Sequence, residues 1–216
     1  MKKIISVGLL SAAMLSSLNA HAAKAELKVI GTITPAACVP NFAGGSIIDY
    51  GNIPAGTLNA TAQTDLPNKL TTINITCDAP TTFYLKAADE RAATVATGVV
   101  PPGATAVSLY GLGAAPNGAN IGTYAVQLTG GVADMGTTAR THSLDGGTTW
   151  NIWNGRFSNA GNQLIGFTNG ATGNPAPHRT ITADITVTTS LAPANTLPMA
   201  NDIILDGLTT VEVVYP

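Results

Sequence analysis

The chain has 216 residues, of which 45% are hydrophobic, 10% charged and 5% aromatic, and its formal net charge is -2. This apolar content with little charge excludes a disordered chain. The lack of a basic patch argues against nucleic-acid binding through phosphates, and the scarcity of Glu, Lys and Leu-rich heptads excludes a coiled coil. Abundant Thr, Val, Ile, Gly and Asn predict β-structure with many turns.

The N-terminus has the three parts of a secretory signal peptide. Lys2-Lys3 forms the positive region, Ile4 to Leu18 is mostly apolar, and Ala20-His21-Ala22 fits a cleavage site. We predict removal of residues 1–22, in preference to cleavage after Ala25. The protein is therefore expected to be exported, and its apolar stretch is short for a membrane anchor.

Short apolar runs alternate with turn residues along the rest of the chain, and none shows sustained helical periodicity. This pattern predicts roughly 8–10 strands in one antiparallel sandwich domain. The predicted strands are residues 27–33, 46–50, 70–77, 82–86, 107–112, 121–129, 149–153, 181–191 and 203–215. The Gly-, Asn- and Pro-rich residues 92–106 and 154–177 are predicted loops.

The two cysteines, Cys38 and Cys77, both follow the predicted cleavage site. An even number of cysteines in an exported chain predicts one disulfide. The enclosed loop of about 39 residues would give a chain-entropy stabilisation of roughly 4 kcal/mol. No histidine stands at metal-ligand spacing from either cysteine, so no metal site is predicted.

The search for catalytic residues predicts no active site and no cofactor. His142, Ser143 and Asp145 contain the residue types of a triad, but neighbours on a strand point to opposite faces and cannot form the relay. The run Asp89-Glu90-Arg91 could supply paired carboxylates, although a solvated charge cluster in a turn is the favoured interpretation.

Trp150 and Trp153 are candidates for a platform on which sugar rings stack. One Trp in the core and one at a loop edge is the commoner arrangement. This pair supports the alternative hypothesis that the chain is a secreted carbohydrate-binding β-sandwich protein.

Three features in order carry a resemblance to a known family. An alternating segment, Leu27-x-Val29-x-Gly31-x-Ile33, precedes Thr34-Pro35-Ala36-Ala37-Cys38. The second cysteine ends the strand Ile73-Asn74-Ile75-Thr76-Cys77, and the chain closes on Val211-x-Val213-x-Tyr215-Pro216. With the signal peptide, this set resembles a pilin, the subunit of a chaperone–usher fimbria, of the fimbrial-like branch with a β-fimbria-type major subunit.

The resemblance implies an all-β fold, an incomplete immunoglobulin-like β-sandwich with an N-terminal donor-strand extension. Residues 23–34 would be that extension and residues 35–216 the pilin domain. A strand supplied in trans, first by a periplasmic chaperone and then by a neighbouring subunit, would complete the sandwich. Leu27, Val29, Gly31 and Ile33 would face into the neighbour's groove, with Gly31 where the groove is too tight for a side chain.

The last strand, Thr209 to Pro216, is expected to border the groove and pair with the chaperone. Val211, Val213 and Tyr215 would face one way, and the carboxylate of Pro216 would meet basic chaperone residues. The implied function is a non-catalytic structural subunit that polymerises into a fibre for adhesion and biofilm formation. The expected partners are a periplasmic pilus chaperone, an outer-membrane usher and neighbouring subunits, and the expected location is the outer surface of a Gram-negative cell.

Overall fold

The computed structural model describes residues 27–32, 37–134, 136–153, 155–169 and 173–216. The chain divides into two compact units, Met1–Thr34 and Pro35–Pro216. The predicted signal peptide of residues 1–22 lies outside the described residues, as does Ile33 of the predicted donor segment. The fold below is that of the second unit.

Twelve strands and four short 3-10 helices make up the regular structure of the described residues, which contain no α-helix. The strands, in chain order, are β1 (Cys38–Ala43), β2 (Thr64–Asp65), β3 (Lys69–Thr81), β4 (Tyr84–Asp89), β5 (Tyr110–Gly111), β6 (Gly122–Ala133), β7 (Gly136–Thr137), β8 (Ala139–Ser143), β9 (Asn151–Ile152), β10 (Leu164–Thr168), β11 (His178–Leu191) and β12 (Thr209–Val214). The 3-10 helices are Ala55–Thr57, Ala92–Thr94, Ala106–Ser108 and Ala194–Thr196.

The strands form two antiparallel sheets, so the predicted all-β sandwich is confirmed. The seven-stranded sheet has the order β1-β3-β11-β6-β5, with β2 also paired to β11 and β7 to β6. The five-stranded sheet has the order β12-β4-β10-β8-β9. Long central strands build the first sheet, because β11 pairs with β3 on one side and β6 on the other over most of its length.

The period-two pattern of the sequence places the core between the sheets. In β3, Ile73, Ile75 and Cys77 are at most 2% exposed, whereas their neighbours in the strand are partly or fully exposed. Leu85 of β4 and Phe167 of β10 are equally buried and supply the core side chains of the second sheet. Burying each large aliphatic or aromatic side chain contributes roughly 1.5–3 kcal/mol, so this alternation specifies which face points inward.

Several predicted elements differ from the structure. Residues 27–32 form no strand, the predicted strand 107–112 begins in the 3-10 helix Ala106–Ser108, and the predicted loop 154–177 contains β10. Two further predicted strands are missing or shorter. Ser46 to Tyr50 forms no strand, because no strand of the described residues lies alongside to pair with it. The predicted strand 203–215 is shorter, since β12 starts only at Thr209 and residues 203–208 are irregular. Both segments have apolar alternation that fits a strand, but a strand also needs a hydrogen-bonding neighbour.

Candidate functional site

A groove with a volume of about 1130 Å³ opens between the sheets beside β12. One wall is the irregular segment 46–54, and the other is formed by residues 199–209 and Val211. The floor belongs to the inner face of the seven-stranded sheet. Its main apolar residues are Tyr124, Val126, Ile185, Val187 and Leu191.

The groove exists because one side of the sandwich has no strand. β12 pairs with β4 on one side only, and no strand of the described residues pairs with its other edge. Such an edge presents backbone N–H and C=O groups that could pair with an added strand. The opposite wall, residues 46–54, also lacks a strand partner among the residues that the structure describes. The groove is therefore bordered on both sides by segments that lack a strand partner among the described residues.

The wall residues of the groove alternate in burial. Ile48 and Ile53 on one wall, and Leu205 and Val211 on the other, are partly buried and pack against the core. Ile47 and Ile204 also line the groove but are 83% and 80% exposed. The inward members leave an apolar cleft, which can take up apolar side chains of an extended segment through burial of their surface.

Polar contacts at the groove are few and hold its walls. Tyr50 donates a 3.0 Å hydrogen bond to Oγ1 of Thr189, and the Lys69 ammonium lies 5.5 Å from the centre of the Tyr50 ring. The phenol oxygen of Tyr124 lies 2.6 Å from Oγ1 of Thr209 at the start of β12. Burial raises the pKa of Tyr124 to about 12, so its phenol is neutral at physiological pH. The groove therefore offers an apolar, uncharged floor.

The predicted C-terminal strand residues border this region. Val211 and Val213 are partly buried and pack against the core, and the intervening Glu212 is exposed. Tyr215 is 46% exposed, and its phenol oxygen accepts a 2.7 Å hydrogen bond from the backbone N–H of Cys38. Pro216 is exposed. Among the predicted residues Val211, Val213, Tyr215 and Pro216, it is Val211 that lines the groove.

The disulfide predicted between Cys38 and Cys77 is present, and it joins opposing residues of β1 and β3. Both cysteines are buried in the core cluster. The bond holds the strand that leads into the groove wall 46–54 against the centre of its sheet. It therefore supports the position of that wall.

The apolar side chains of the predicted donor segment are largely exposed in the first unit. Leu27, Val29 and Ile30 are 92%, 88% and 79% exposed. A Cβ atom placed on Gly31 would meet no other atom within 4 Å. Ile33, the fourth predicted donor residue, lies outside the described residues. Exposed apolar side chains in an alternating segment are what a strand added to another sheet would offer.

The triad residue types are brought together only in part. Ser143 Oγ donates a 2.6 Å hydrogen bond to Asp145, which also accepts from the hydroxyl and backbone N–H of Thr149. Nδ1 of His142 instead lies 3.3 Å from Nε2 of Gln163. Asp145 organises the turn between β8 and β9, and these hydrogen bonds lower the pKa of its carboxyl well below the usual range.

We expected Asp89-Glu90-Arg91 to form a solvated charge cluster, and for Asp89 this expectation is wrong. This carboxylate is partly buried and accepts hydrogen bonds from the backbone N–H groups of Arg91 and Gly111, at 2.8 Å each. Burial raises the pKa of Asp89. Arg91 pairs with Asp206 at 2.9 Å, which ties the segment before β12 to the end of β4. Sequence reasoning missed this role because Asp206 is 115 residues away.

The two tryptophans have different surroundings. The Trp150 ring packs on Tyr84 with centroids 4.7 Å apart. Trp153 is 8% exposed and contacts His142 and Phe157. Trp153 also lines a second cavity, which sequence reasoning did not predict because loops distant in the sequence form it.

Two features are absent from the part of the chain that the structure describes. No group of three or more His, Cys, Asp or Glu side chains is arranged to hold a metal ion there. Among the same residues, no helix has the length and apolar character needed to cross a membrane.

Comparisons with known proteins find a matching family model and similar proteins of Escherichia coli. Residues 27–125 match the family described as "Protein of unknown function (DUF1120)". The chain is 34% identical to Protein GltF of Escherichia coli (strain K12) over 134 residues, covering 55% of this chain and 53% of that protein. This match therefore spans about half the length of GltF.

A second relative matches over nearly the full length. The chain is 25% identical to the uncharacterized protein YhcF of Escherichia coli (strain K12) over 224 residues, which covers 92% of this chain and 94% of that protein. The family match contains β1, β3 and the groove wall 46–54. The chain is thus similar, over the half that carries the disulfide and one wall of the groove, to a family described as being of unknown function.

Proposed function

We propose that this chain is a structural subunit of a chaperone–usher fimbria that polymerises by donor-strand exchange. The observation that carries the proposal is the apolar groove beside the unpaired edge of β12. A sandwich with such a cleft exposes apolar surface to water and leaves backbone groups without strand partners. An added strand would bury the apolar surface and pair the backbone groups.

The donor in this proposal is the N-terminal segment of a second copy of the chain. Leu27 and Val29 have the alternation that fits the floor of the groove, and both are exposed. Burying the Leu27, Val29 and Ile33 side chains would contribute roughly 5–9 kcal/mol before ordering costs. Gly31, on the same face of the segment, would pass the narrowest part of the cleft.

The proposal includes the partners and the location. A periplasmic chaperone would fill the groove before assembly, an outer-membrane usher would catalyse the exchange, and the fibre would stand on the outer surface of a Gram-negative cell. There it would support adhesion and biofilm growth. The proposal assigns no catalytic role to the chain itself, since the binding of one extended segment drives the assembly.

Cross-linking between two copies tests the proposal. One copy carries Val29→Cys and the other carries Val211→Cys, which is partly buried in the groove wall. Mixed and oxidised, the two copies are expected to form a covalent heterodimer. The matched control is Val132→Cys, at an exposed position outside the groove lining, which should give no cross-link with Val29→Cys.

Two results would contradict the proposal. Equal cross-linking to Val132→Cys would mean random collision of the segment with any surface. A chain that stays monomeric at high concentration, with or without a chaperone, would mean that the groove has no segment of a second copy as its occupant.

A further inference from the structure

A second cavity, of about 460 Å³, lies toward the β8–β9 edge of the five-stranded sheet, away from β12. Three separate parts of the chain form it: residues 103–108 before β5, residues 142–144 at the end of β8, and, before β10, Trp153 together with residues 155–163. Its volume falls in the range of about 300–1,000 Å³ that is usual for small-molecule sites. It shares no lining residue with the groove.

Two aromatic rings form one wall of the cavity. The rings of His142 and Trp153 stack with centroids 6.1 Å apart and an angle of 25° between their planes. Phe157 supports Trp153 edge-on from a centroid distance of 6.0 Å. Gly155 lies against the indole, where a Cβ atom would stand 3.1 Å from Nε1 of Trp153. The missing side chain leaves this indole edge accessible from the cavity.

Amide groups hold the polar part of the lining in place. Gln163 is 6% exposed, and its Oε1 accepts a 2.8 Å hydrogen bond from the backbone N–H of Ser158. Its Nε2 therefore points to Nδ1 of His142, at 3.3 Å. Because burial lowers the pKa of His142, the ring is neutral at pH 7, and an Nδ1 that accepts from Gln163 places its proton on Nε2.

Arg156 gives the cavity an uncompensated positive charge. Its guanidinium donates to the backbone carbonyls of Pro102 and Gly103, which are neutral acceptors. None of the described residues that line the cavity is an Asp or Glu. Partial burial lowers the pKa of Arg156, but the group stays charged, and its Nε, which is itself buried, has no hydrogen-bond partner among the described residues. An anion with planar oxygens is the ligand that a guanidinium prefers.

We propose that this cavity binds a carboxylate-bearing saccharide unit, a uronate. Arg156 pairs with the carboxylate, the His142–Trp153 wall contacts the ring, and the amides of Asn162 and Gln163 meet the hydroxyls. A neutral sugar would leave the charge of Arg156 without a counterion, and a small carboxylate would leave the aromatic wall uncovered. The site stands apart from polymerisation, because it lies at the other edge of the sandwich.

Tryptophan fluorescence of the full chain gives a direct test. Trp150 and Trp153 are the two tryptophans of the sequence, so Trp150→Phe leaves Trp153 as the sole reporter in the cavity. Titration with glucuronate is expected to change its emission saturably. Glucose lacks the carboxylate and is expected to bind at least about tenfold more weakly, as loss of a hydrogen bond to a charged group implies. Acetate keeps the carboxylate but lacks the ring and its hydroxyls, and is also expected to bind more weakly.

Two substitutions in this background locate the site. Arg156→Gln is expected to weaken glucuronate binding about tenfold or more. Arg140→Gln is the matched control, since Arg140 is also a partly buried guanidinium bonded to a backbone carbonyl but does not line the cavity. Asn162→Ala, at an exposed position, is expected to weaken binding about threefold and tests the site should Arg156→Gln fail to fold.

Each possible result of these titrations either supports the uronate proposal or contradicts it. Equal affinity for glucose and glucuronate, unchanged binding in both cavity variants, or no saturable response to any sugar would each overturn the proposal. Equal binding of acetate and glucuronate would reduce the cavity to a general carboxylate site and overturn its saccharide part. Multimer formation is expected to be unaffected by Arg156→Gln, so failure here and failure of the fimbrial proposal are distinguishable.

Discussion

The backbone N–H of Cys38 donates a 2.7 Å hydrogen bond to the phenol oxygen of Tyr215, 177 residues further along the chain. Cys38 opens β1, and Tyr215 follows β12, so this bond links the two sheets at one end of the gap between these strands. Because Cys38 also forms the disulfide to Cys77, one residue connects three strands. The groove begins beyond this closed end, at Val211.

Removing the phenol should test that link. Tyr215→Phe is expected to lower the free energy of unfolding by about 0.5–1.5 kcal/mol, because it leaves the Cys38 N–H without its acceptor. Denaturant unfolding measures the change. Tyr84→Phe, at a ring that packs on Trp150, is the matched control and should have a smaller effect. Equal effects would argue against a role for the hydrogen bond.

Loss of the disulfide should lower the free energy of unfolding more than loss of the Tyr215 hydrogen bond. The double variant Cys38→Ala, Cys77→Ala opens a loop whose ends are 39 residues apart, and we expect a loss of roughly 4 kcal/mol through greater freedom of the unfolded chain. Chemical denaturation of both proteins gives this difference. A loss under about 1 kcal/mol would mean that the bond contributes little to holding β1 in place.

Gly111 should not tolerate a side chain. A Cβ atom there would lie 1.9 Å from the backbone oxygen of Arg91, so Gly111→Ala forces β5 away from the end of β4. The expected loss is about 3 kcal/mol or more, as for severe overpacking. Gly56→Ala is the control, since nothing lies within 4 Å of its position and its φ is not in the left-handed region. A similar unfolding midpoint for both variants would contradict this account.

Asp145 should make the free energy of unfolding depend on pH in the acid range. Its hydrogen bonds to Ser143 and Thr149 lower the pKa of the folded carboxyl below the ordinary 3.8. The stabilisation is therefore fully present above pH 3.8 and is lost as the pH falls toward the lowered value. Asp145→Asn is expected to flatten the dependence of stability on pH over this interval. Parallel pH profiles of the two proteins would show that Asp145 does not contribute.

Gly31 should matter for assembly and not for folding. Gly31→Leu adds a side chain to the proposed inserting face, while a Cβ atom there meets no atom of the described residues within 4 Å. We expect heat-resistant multimers on denaturing gels to disappear while the unfolding midpoint stays unchanged. Thr32→Leu is the control on the outward face and should still assemble. Multimers that survive in both variants would exclude insertion of this face.

The alternation of apolar and polar residues along the chain predicted much of the sandwich. Ile73, Ile75 and Cys77 alternate with polar residues, and this alternation correctly assigned the inner face of β3. The Cys38–Cys77 bond was predicted from the residue count together with the expectation of export. Both inferences succeed because burial and thiol chemistry act on neighbouring residues or on very few candidates.

Contacts across the sequence could not be predicted in the same way. Ser46 to Tyr50 has the pattern of a strand but no strand partner among the described residues, which only the sheet order reveals. The pairing of Arg91 with Asp206 and the meeting of residues 103–108 with Arg156 join segments about 50 or more residues apart. The groove floor could likewise not be predicted, because Tyr124 and Val187 cannot be told from ordinary core residues in the sequence.

The pairing of β11 with β3 sets how this chain must reach its native state. Their partners, such as Ile181 and Ile75, are about 100 residues apart, and β12 pairs with β4 across a similar distance. Non-local pairing slows folding to milliseconds or seconds, because loop closure precedes any stabilising contact. During that interval β3 has exposed edges that can aggregate with other chains. Adding the C-terminal half as a separate peptide should therefore rescue a truncated chain poorly, since aggregation competes with pairing.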